Sequence, residues 1–253
     1  MDKLAYTALS AMQGQGIVRA AITNELSNVS TVGFKKSFQT ASVAVKIDGP
    51  GHESRFQPGL QISDLINLTP GTPISTGRAL DVSMNGSTVL GVQTPAGDIA
   101  YTRRGDLRVS TTGVLENAEG ELIMGEGGPI SVPVGNLITI SPDGTVFAQT
   151  PTDPEDAAVA IGQLMLRDAS QTPLVRREDG LFEAHTAALK GKDFPTGPEP
   201  VSVMPGMLEG SNVNPVGTMI KMLDFSRQFE MQLKLVKETQ SIDEAGSTMM
   251  RLP

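Results

Sequence analysis

Leu80-Asp81-Val82-Ser83-Met84-Asn85-Gly86-Ser87-Thr88-Val89-Leu90-Gly91-Val92-Gln93 is the stretch that decides the fold class. Leu80, Val82 and Met84 alternate with polar residues, the period of two expected of a strand with one face buried. Asn85-Gly86 follows, a dipeptide that readily takes the left-handed backbone of a two-residue hairpin turn. Another apolar run, Thr88–Gln93, comes directly after it. The pattern predicts a β-hairpin here and β-structure around it.

Working toward the C-terminus, short apolar runs recur at Ile99–Arg103, Leu107–Ser110, Val114–Glu116, Leu122–Met124, Ile138–Ile140 and Val146–Gln149. Turn clusters separate them: Pro95-Ala96-Gly97-Asp98, Thr111-Thr112-Gly113, Ala118-Glu119-Gly120 and Pro142-Asp143-Gly144. Strands at intervals of roughly 8–12 residues predict an all-β sandwich or barrel. Residues 150–205 are looser, with Ile161, Leu164 and Leu166 as their clearest strand. A β-rich domain is therefore expected over 76–205. Before it, residues 34–75 carry Pro58-Gly59 and Pro70-Gly71 with little periodicity, which predicts an extended arm or linker.

The two ends change period. Leu4, Ala8, Ala11, Gln15, Val18, Ile22, Glu25 and Val29 recur at spacings of four and three, with Leu26 on the same stripe. That is the narrow seam of a coiled coil rather than the wider face of a surface helix. Gly14 and Gly16 weaken the helix by about 1 kcal/mol each. Its stop is expected near Ser30-Thr31-Val32-Gly33, where Gly33 can take the left-handed geometry.

Residues 206–253 mirror this pattern. Met222, Phe225, Phe229, Leu233 and Val236 form one stripe, widened by Met219 and Leu223 and continued by the polar Gln240 and Asp243. Pro215 suits a first helical turn, and Asn212 or Asn214 can cap it. A helix of roughly 30 residues, about 45 Å long, is expected. The class is thus α+β, a mainly-β centre between terminal helices. Such narrow stripes bury too little alone to offset the entropy of ordering the helices. Either they order against neighbouring chains, or they pack as a two-helix stalk or onto the β-domain.

Bulk properties exclude several functions. The 253-residue chain has a net charge of −8, which disfavours a nucleic-acid surface. Residues 41–205 hold eleven basic and twenty acidic side chains, a balance of −9, whereas both ends are near neutral. Near-neutral ends suit packing against copies of themselves. No run of 18 apolar residues predicts membrane insertion. The Met1-Asp2-Lys3-Leu4-Ala5-Tyr6 start lacks the pattern of a cleaved secretory signal. Zero cysteines rule out disulfides, thiolate metal sites and a cysteine nucleophile.

The remaining chemistry is sparse. His52 and His185 are far apart and in no metal-ligand spacing. Gly125-Glu126-Gly127-Gly128 precedes Pro129 and reads as a turn rather than a phosphate loop. Asp143-Gly144 lacks the other ligand positions of a calcium loop. Asp153, Glu155 and Asp156, flanked by prolines, read as a solvated loop rather than an acid–base pair. The Met-rich tail (Met219, Met222, Met231, Met249, Met250) reads mainly as packing. No catalytic, cofactor-binding or metal residue is expected, and the chain is not expected to be an enzyme.

Three separated segments carry a resemblance. Asn24-Glu25-Leu26-Ser27-Asn28-Val29-Ser30-Thr31-Val32-Gly33-Phe34-Lys35 resembles the Asn-Asn-Leu-Ala-Asn-Val-Asn/Ser-Thr-Pro-Gly-Phe-Lys signature of flagellar rod and hook proteins. The matching residues are Asn24, Leu26, Asn28, Val29, Thr31, Gly33 and Phe34; Glu25 and Val32 depart. Tyr101-Thr102-Arg103-Arg104-Gly105-Asp106-Leu107 is similar to the family's Tyr-Thr-Arg-Asn-Gly-x-Phe hairpin, with Arg104 and Leu107 as departures. Gly210-Ser211-Asn212-Val213-Asn214-Pro215-Val216 and Ser226-Arg227-Gln228-Phe229-Glu230-Met231 resemble the C-terminal signature.

Within the family, the first eight residues, Asn214-Pro215-Val216 and Ser226–Met231 resemble the proximal-rod branch. The distal-rod branch usually has Val in place of Pro215 and Gln-Arg-Ala-Tyr-Glu in place of Ser226 to Glu230. The resemblance implies that helices 1–33 and 206–253 pair into a coiled-coil-like inner tube domain, with the β-domain outside it. The implied assembly interface is Leu4, Ala8, Ala11, Val18, Ile22, Leu26, Val29, Met219, Met222, Leu223, Phe225, Phe229, Leu233 and Val236. The implied partners are copies of the chain, other rod proteins including the distal-rod protein, and the flagellar type III export apparatus. The implied place is the basal-body rod across the periplasm. A competing reading from another class is a β-rich glycan-binding or hydrolytic domain, which needs polar groups converging in a pocket.

Overall fold

Turn residues cut the middle of the chain into short strands, and in the computed structural model those strands pair into a layered β-unit. Residues 2–37, 39–46, 56–133, 135–150 and 158–249 are described. The chain divides into two units, one of residues 1–27, 38–63 and 214–253, the other of residues 28–37 and 64–213. In chain order the elements begin with α1 (Asp2–Ser27), β1 (Gln39–Lys46), β2 (Phe56–Ser63), β3 (Pro73–Ser75), β4 (Val82–Met84), β5 (Thr88–Gln93) and β6 (Ile99–Thr102). There follow β7 (Leu107–Val109), β8 (Leu115–Asn117), β9 (Leu122–Gly125), β10 (Gly128–Pro129), β11 (Leu137–Ile140) and β12 (Thr145–Gln149). The last are β13 (Val159–Gln163), β14 (Leu166–Asp168), β15 (Leu174–Arg176), β16 (Phe182–Ala184), β17 (Val203–Pro205), β18 (Met207–Glu209) and α2 (Pro215–Met249).

The β-unit is built on one sheet in the order β15-β16-β6-β5-β9-β8-β7, with β10 on β9 and β14 on β5. A three-stranded sheet, β11-β12-β13, supplies a second layer, and two short pairs, β17-β4 and β18-β3, complete the unit. Strand β5 is buried on both faces. Leu90 and Val92 join Ala100, Leu115, Ile123, Ile138, Ile140 and Val146 in one apolar core. Val89, on the opposite face, joins Tyr101, Met165, Leu174, Phe182 and Phe194 in another. This is the period-two alternation of a strand, with each side chain set dry. The sheet-on-sheet arrangement and most strand positions agree with the sequence reading.

The hairpin expected at Asn85-Gly86 does not form. The turn is present, since Thr88 N–H donates to the Asn85 carbonyl at 3.0 Å and Gly86 has φ +51°. Yet β4 pairs with β17, in register Met84 to Val203, rather than with β5. The cause lies in the turn's carbonyls. Those of Met84, Gly86 and Thr88 are bound by the Arg103 guanidinium at 3.2, 2.8 and 2.6 Å. Strands β4 and β5 diverge around this cation and pair elsewhere, Met84 with Val203 and Thr88 with Asp168. The Tyr101–Leu107 segment is likewise a crossing from β6 to β7, not a hairpin: β6 pairs with β5 and β16, and β7 pairs with β8.

In the other unit, α2 begins where its capping residues predict. Asn214 Oδ1 accepts the Gly217 N–H at 3.1 Å, and Pro215 occupies the first turn. Helix α1 ends at Ser27, and Gly33 takes φ +69° six residues later rather than at the helix end. The half-buried stripe of α2 runs through Met222, Phe225, Phe229, Gln232 and Val236. Leu233, Met219 and Leu223, assigned to that stripe from sequence, instead point outward, at 39%, 53% and 60% exposure. The spacing near 230 follows the 3.5-residue seam through Gln232, whose amide oxygen is buried without a donor among the described residues. On α1, Ile22 and Glu25 are buried and Val18 and Leu26 half-buried.

The stretch read as an extended arm or linker contributes a paired ribbon. Strands β1 and β2 run antiparallel, Val43 opposite Gly59 and Ala44 opposite Pro58. A two-stranded ribbon has a free edge on each strand, and an edge tolerates the missing N–H of proline.

Candidate functional site

Three segments distant in sequence converge inside the β-unit on one buried ion cluster. Glu209, at the end of β18, is its hub. The Glu209 carboxylate accepts Lys35 Nζ at 2.6 Å, Arg103 Nε at 2.7 Å, Arg103 Nη2 at 2.9 Å and the Gly71 N–H at 2.9 Å. The side chains of Lys35, Arg103 and Glu209 are 0%, 0% and 2% exposed. Arg103 directs all five of its N–H groups at acceptors: two at Glu209, and three at the carbonyls of Met84, Gly86 and Thr88. A planar fork with five donors fits this ring of acceptors, and a point-charge ammonium would not.

Backbone contacts bind the same segments. Gly33 N–H donates to the Glu209 carbonyl at 2.7 Å, and Asn212 N–H to the Phe34 carbonyl at 3.3 Å. Asn212 Oδ1 accepts the Lys36 N–H at 2.8 Å, while its Nδ2 donates to the Asn67 carbonyl at 2.8 Å. Lys35 Nζ also donates to the Thr69 carbonyl at 2.8 Å. Arg176 lies over the Phe34 ring, 4.4 Å from its centroid, and donates to the Lys35 carbonyl. Gly33 is required here: a Cβ would lie 2.6 Å from the backbone of Arg103 and Arg104, on a residue already at positive φ.

The electrostatics are opposed across the cluster. Burial pushes the Lys35 ammonium down to about 8, helped by the neighbouring Arg103 cation and resisted by Glu209. Burial would raise the Glu209 carboxyl, but its bonds to Arg103 and Lys35 outweigh that and hold it below 4.5. The two signs give distinct pH dependences. Glu209 contributes stability that is present above pH 4.5 and lost as pH falls through its lower folded value. Lys35 binds its proton less tightly folded than unfolded, so stability rises as pH climbs from about 8 toward 10.5. Urea midpoints taken across this range should show an alkaline rise in the natural chain that Lys35→Met lacks.

The remaining residues singled out from sequence fall in several places. Tyr101 is buried against Phe194, ring centroids 4.6 Å apart, with its hydroxyl on Asp193 at 2.8 Å. Thr102 Oγ1 accepts the Arg104 N–H, and Gly105 packs under the Val82 carbonyl. Thr31 Oγ1 donates to Asn28 Oδ1 at 3.1 Å, Ser211 Oγ accepts the Val213 N–H, and Val213 is buried. Asn24, Arg227 and Glu230 are exposed, Arg227 lying 3.9 Å from Asp224. Val29 is half-buried. The side chains of Leu4, Ala8 and Ala11 lie outside the described residues, as do Asp153, Glu155, Asp156 and His52. His185 is exposed, and Asp143 accepts bonds from Ser141 and Thr145 in its turn. Among the described residues no group of three or more His, Cys, Asp or Glu side chains could hold a metal ion. None of the described helices is long and apolar enough to cross a membrane.

Glu209 and Lys35 were not singled out from sequence, nor were Gly71 and Arg176. Their partners lie 34 to 174 residues away, and no local period records such pairings. One hint existed: Lys35 closes the first motif segment, and Glu209 adjoins the last.

Motif segments joined at a buried ion triad, in a layered β-unit between terminal helices, define a subunit of the flagellar rod and hook class. Two family models match: the flagellar basal body rod FlgEFG protein C-terminal region over residues 204–249, and the flagellar hook protein FlgE/F/G D1 domain over 83–148. The flagellar basal-body rod protein FlgF of Escherichia coli K12 is 38% identical over 97% of this chain and 96% of its own length. FlgF of Salmonella typhimurium is 38% identical over 96% of this chain and 95% of its own. A FlgG rod protein of Buchnera aphidicola is 29% identical over 91% and 93%. The chain belongs to the flagellar basal-body rod protein family, and it is a structural rod subunit.

Proposed function

We propose that this chain builds the proximal rod of the flagellar basal body, part of the hollow drive shaft that transmits torque and conducts exported subunits. The 38% identity to FlgF of Escherichia coli and of Salmonella typhimurium, against 29% to a FlgG protein of Buchnera aphidicola, supports the proximal branch. Residues 1–33 and 206–253 form the helices of a coiled-coil-like inner tube domain, 34–75 an arm, and 76–205 the outer β-domain. The subunit carries no catalytic role. Copies of itself, the distal-rod protein and other rod proteins are its neighbours. The type III export apparatus delivers it to the periplasm-spanning rod.

The single observation that carries this reading is the outward face of α2. Val216, Met219, Ile220, Leu223, Met231 and Leu235 are 53–65% exposed along one long helix. A helix presenting large apolar side chains on its outer as well as its inner face is built to be covered by other chains. Phe229, half-buried and 6.2 Å from the Phe225 ring, sits in the inner stripe. Phe229→Asp should abolish swimming while the unfolding midpoint of the β-unit stays within about 0.5 kcal/mol of the natural chain. Normal swimming in that variant would sink the assembly reading.

A further inference from the structure

Lys35 and Arg103 are two fully buried cations, and one carboxylate serves both among the described residues. That carboxylate lies 174 residues after the first and 106 after the second. Until it arrives, closing the β-unit would trap two like charges together in a dry site, with the Gly71 and Gly33 N–H groups also unserved. Removing one partner of a buried ion set is among the most disruptive single changes a fold can suffer.

We propose that Glu209 is a closing counter-ion, which keeps the β-unit from folding until the chain beyond residue 205 is present. The charge arrangement makes completeness of the chain a condition of its folding. A partial chain therefore stays open and threadable. The use of this device rests on the export reading, since a subunit exported unfolded must not close early. The depressed proton affinity of Lys35 agrees with it: even with Glu209 in place, burial and the neighbouring Arg103 outweigh the carboxylate's support of this ammonium.

The test uses the purified full-length chain in four forms: natural, Glu209→Gln, Lys35→Met and the double variant. Glutamine keeps the size and one acceptor oxygen of Glu209, removes its charge and turns the other oxygen into an N–H donor. The Glu209→Gln chain should lose the cooperative urea transition of the β-unit, with a folding constant lowered about 100- to 1,000-fold. Adding Lys35→Met should restore at least about tenfold of that loss, because one trapped cation is removed. A double variant as unfolded as Glu209→Gln, or worse, would show that Glu209 acts through hydrogen bonds and packing alone. That result, or a normally stable Glu209→Gln chain, overturns the proposal. These solution measurements stand apart from the export reading, which would fail instead if the natural chain left cells lacking the flagellar export apparatus.

Discussion

Replacing Arg103 by methionine should unfold the β-unit at room temperature, whereas replacing its neighbour Arg104 should scarcely be noticed. Arg103 is fully buried and gives all five N–H groups to Glu209 and three turn carbonyls. Its loss strands a buried carboxylate beside only Lys35 and leaves the carbonyls of Met84, Gly86 and Thr88 without that donor. Breaking a buried pair costs about 3–5 kcal/mol, and each stranded acceptor adds to it. The total rivals the stability of a whole domain. Arg103→Lys should recover little, since three flexible donors cannot serve a ring that needs five. Arg104 pairs with Asp106 and Glu119 at a partly exposed position, and such pairs contribute about 1 kcal/mol or less. Calorimetric scans of the two methionine variants should therefore differ by the presence of a transition, not by a few degrees. A well-formed transition in Arg103→Met would mean that the turn carbonyls find other donors.

Gly105→Ala should be nearly as damaging, for a reason unrelated to charge. A Cβ at Gly105 would lie 1.7 Å from the Val82 carbonyl oxygen and 2.8 Å from its carbon. Both are backbone atoms of β4, which is held in turn by β17. The Val82 N–H also donates to the Gly105 carbonyl at 2.9 Å, so the two chains cannot separate without losing that bond. Overpacking against flexible side chains costs about 1–3 kcal/mol, and a rigid backbone neighbour places this substitution at or above the upper end. Hydrogen exchange should show faster opening of β4 and β17, with the far strands β11 and β12 less affected. Unchanged protection of Val82 would contradict the geometry. Gly127, which has open space around its Cβ position and no left-handed φ, provides the contrasting substitution.

Much of this architecture could be read along the chain, because helices and strands leave local periods. Thr88–Gln93 was delimited to the residue, since turn residues bracket an apolar run. Asn214 and Pro215 announced the start of α2 through the chemistry of its first turn. The failures share a cause. At Asn85-Gly86 the local signal was sound, but Arg103, eighteen residues on, claimed the carbonyls. At Phe56-Gln57-Pro58-Gly59 the proline and glycine masked a strand that survives because its ribbon has free edges. The ion triad joins residues 35, 103 and 209, and no periodicity reports a contact at such separations. Arg103 drew notice only through a resemblance, and Glu209 through nothing at all.

The cross-links between residues 33–36 and 209–213 also have a mechanical meaning. The chain first enters the β-unit through the first of these segments, departs over residues 38–63, and finally leaves it through the second. Gly33 is bonded to Glu209, Phe34 to Asn212, and Lys36 to the Asn212 side chain. A pull on one of these leads is handed to the other within a few ångströms. A force applied between the two leads is then carried by these few bonds and not through the strands of the β-unit.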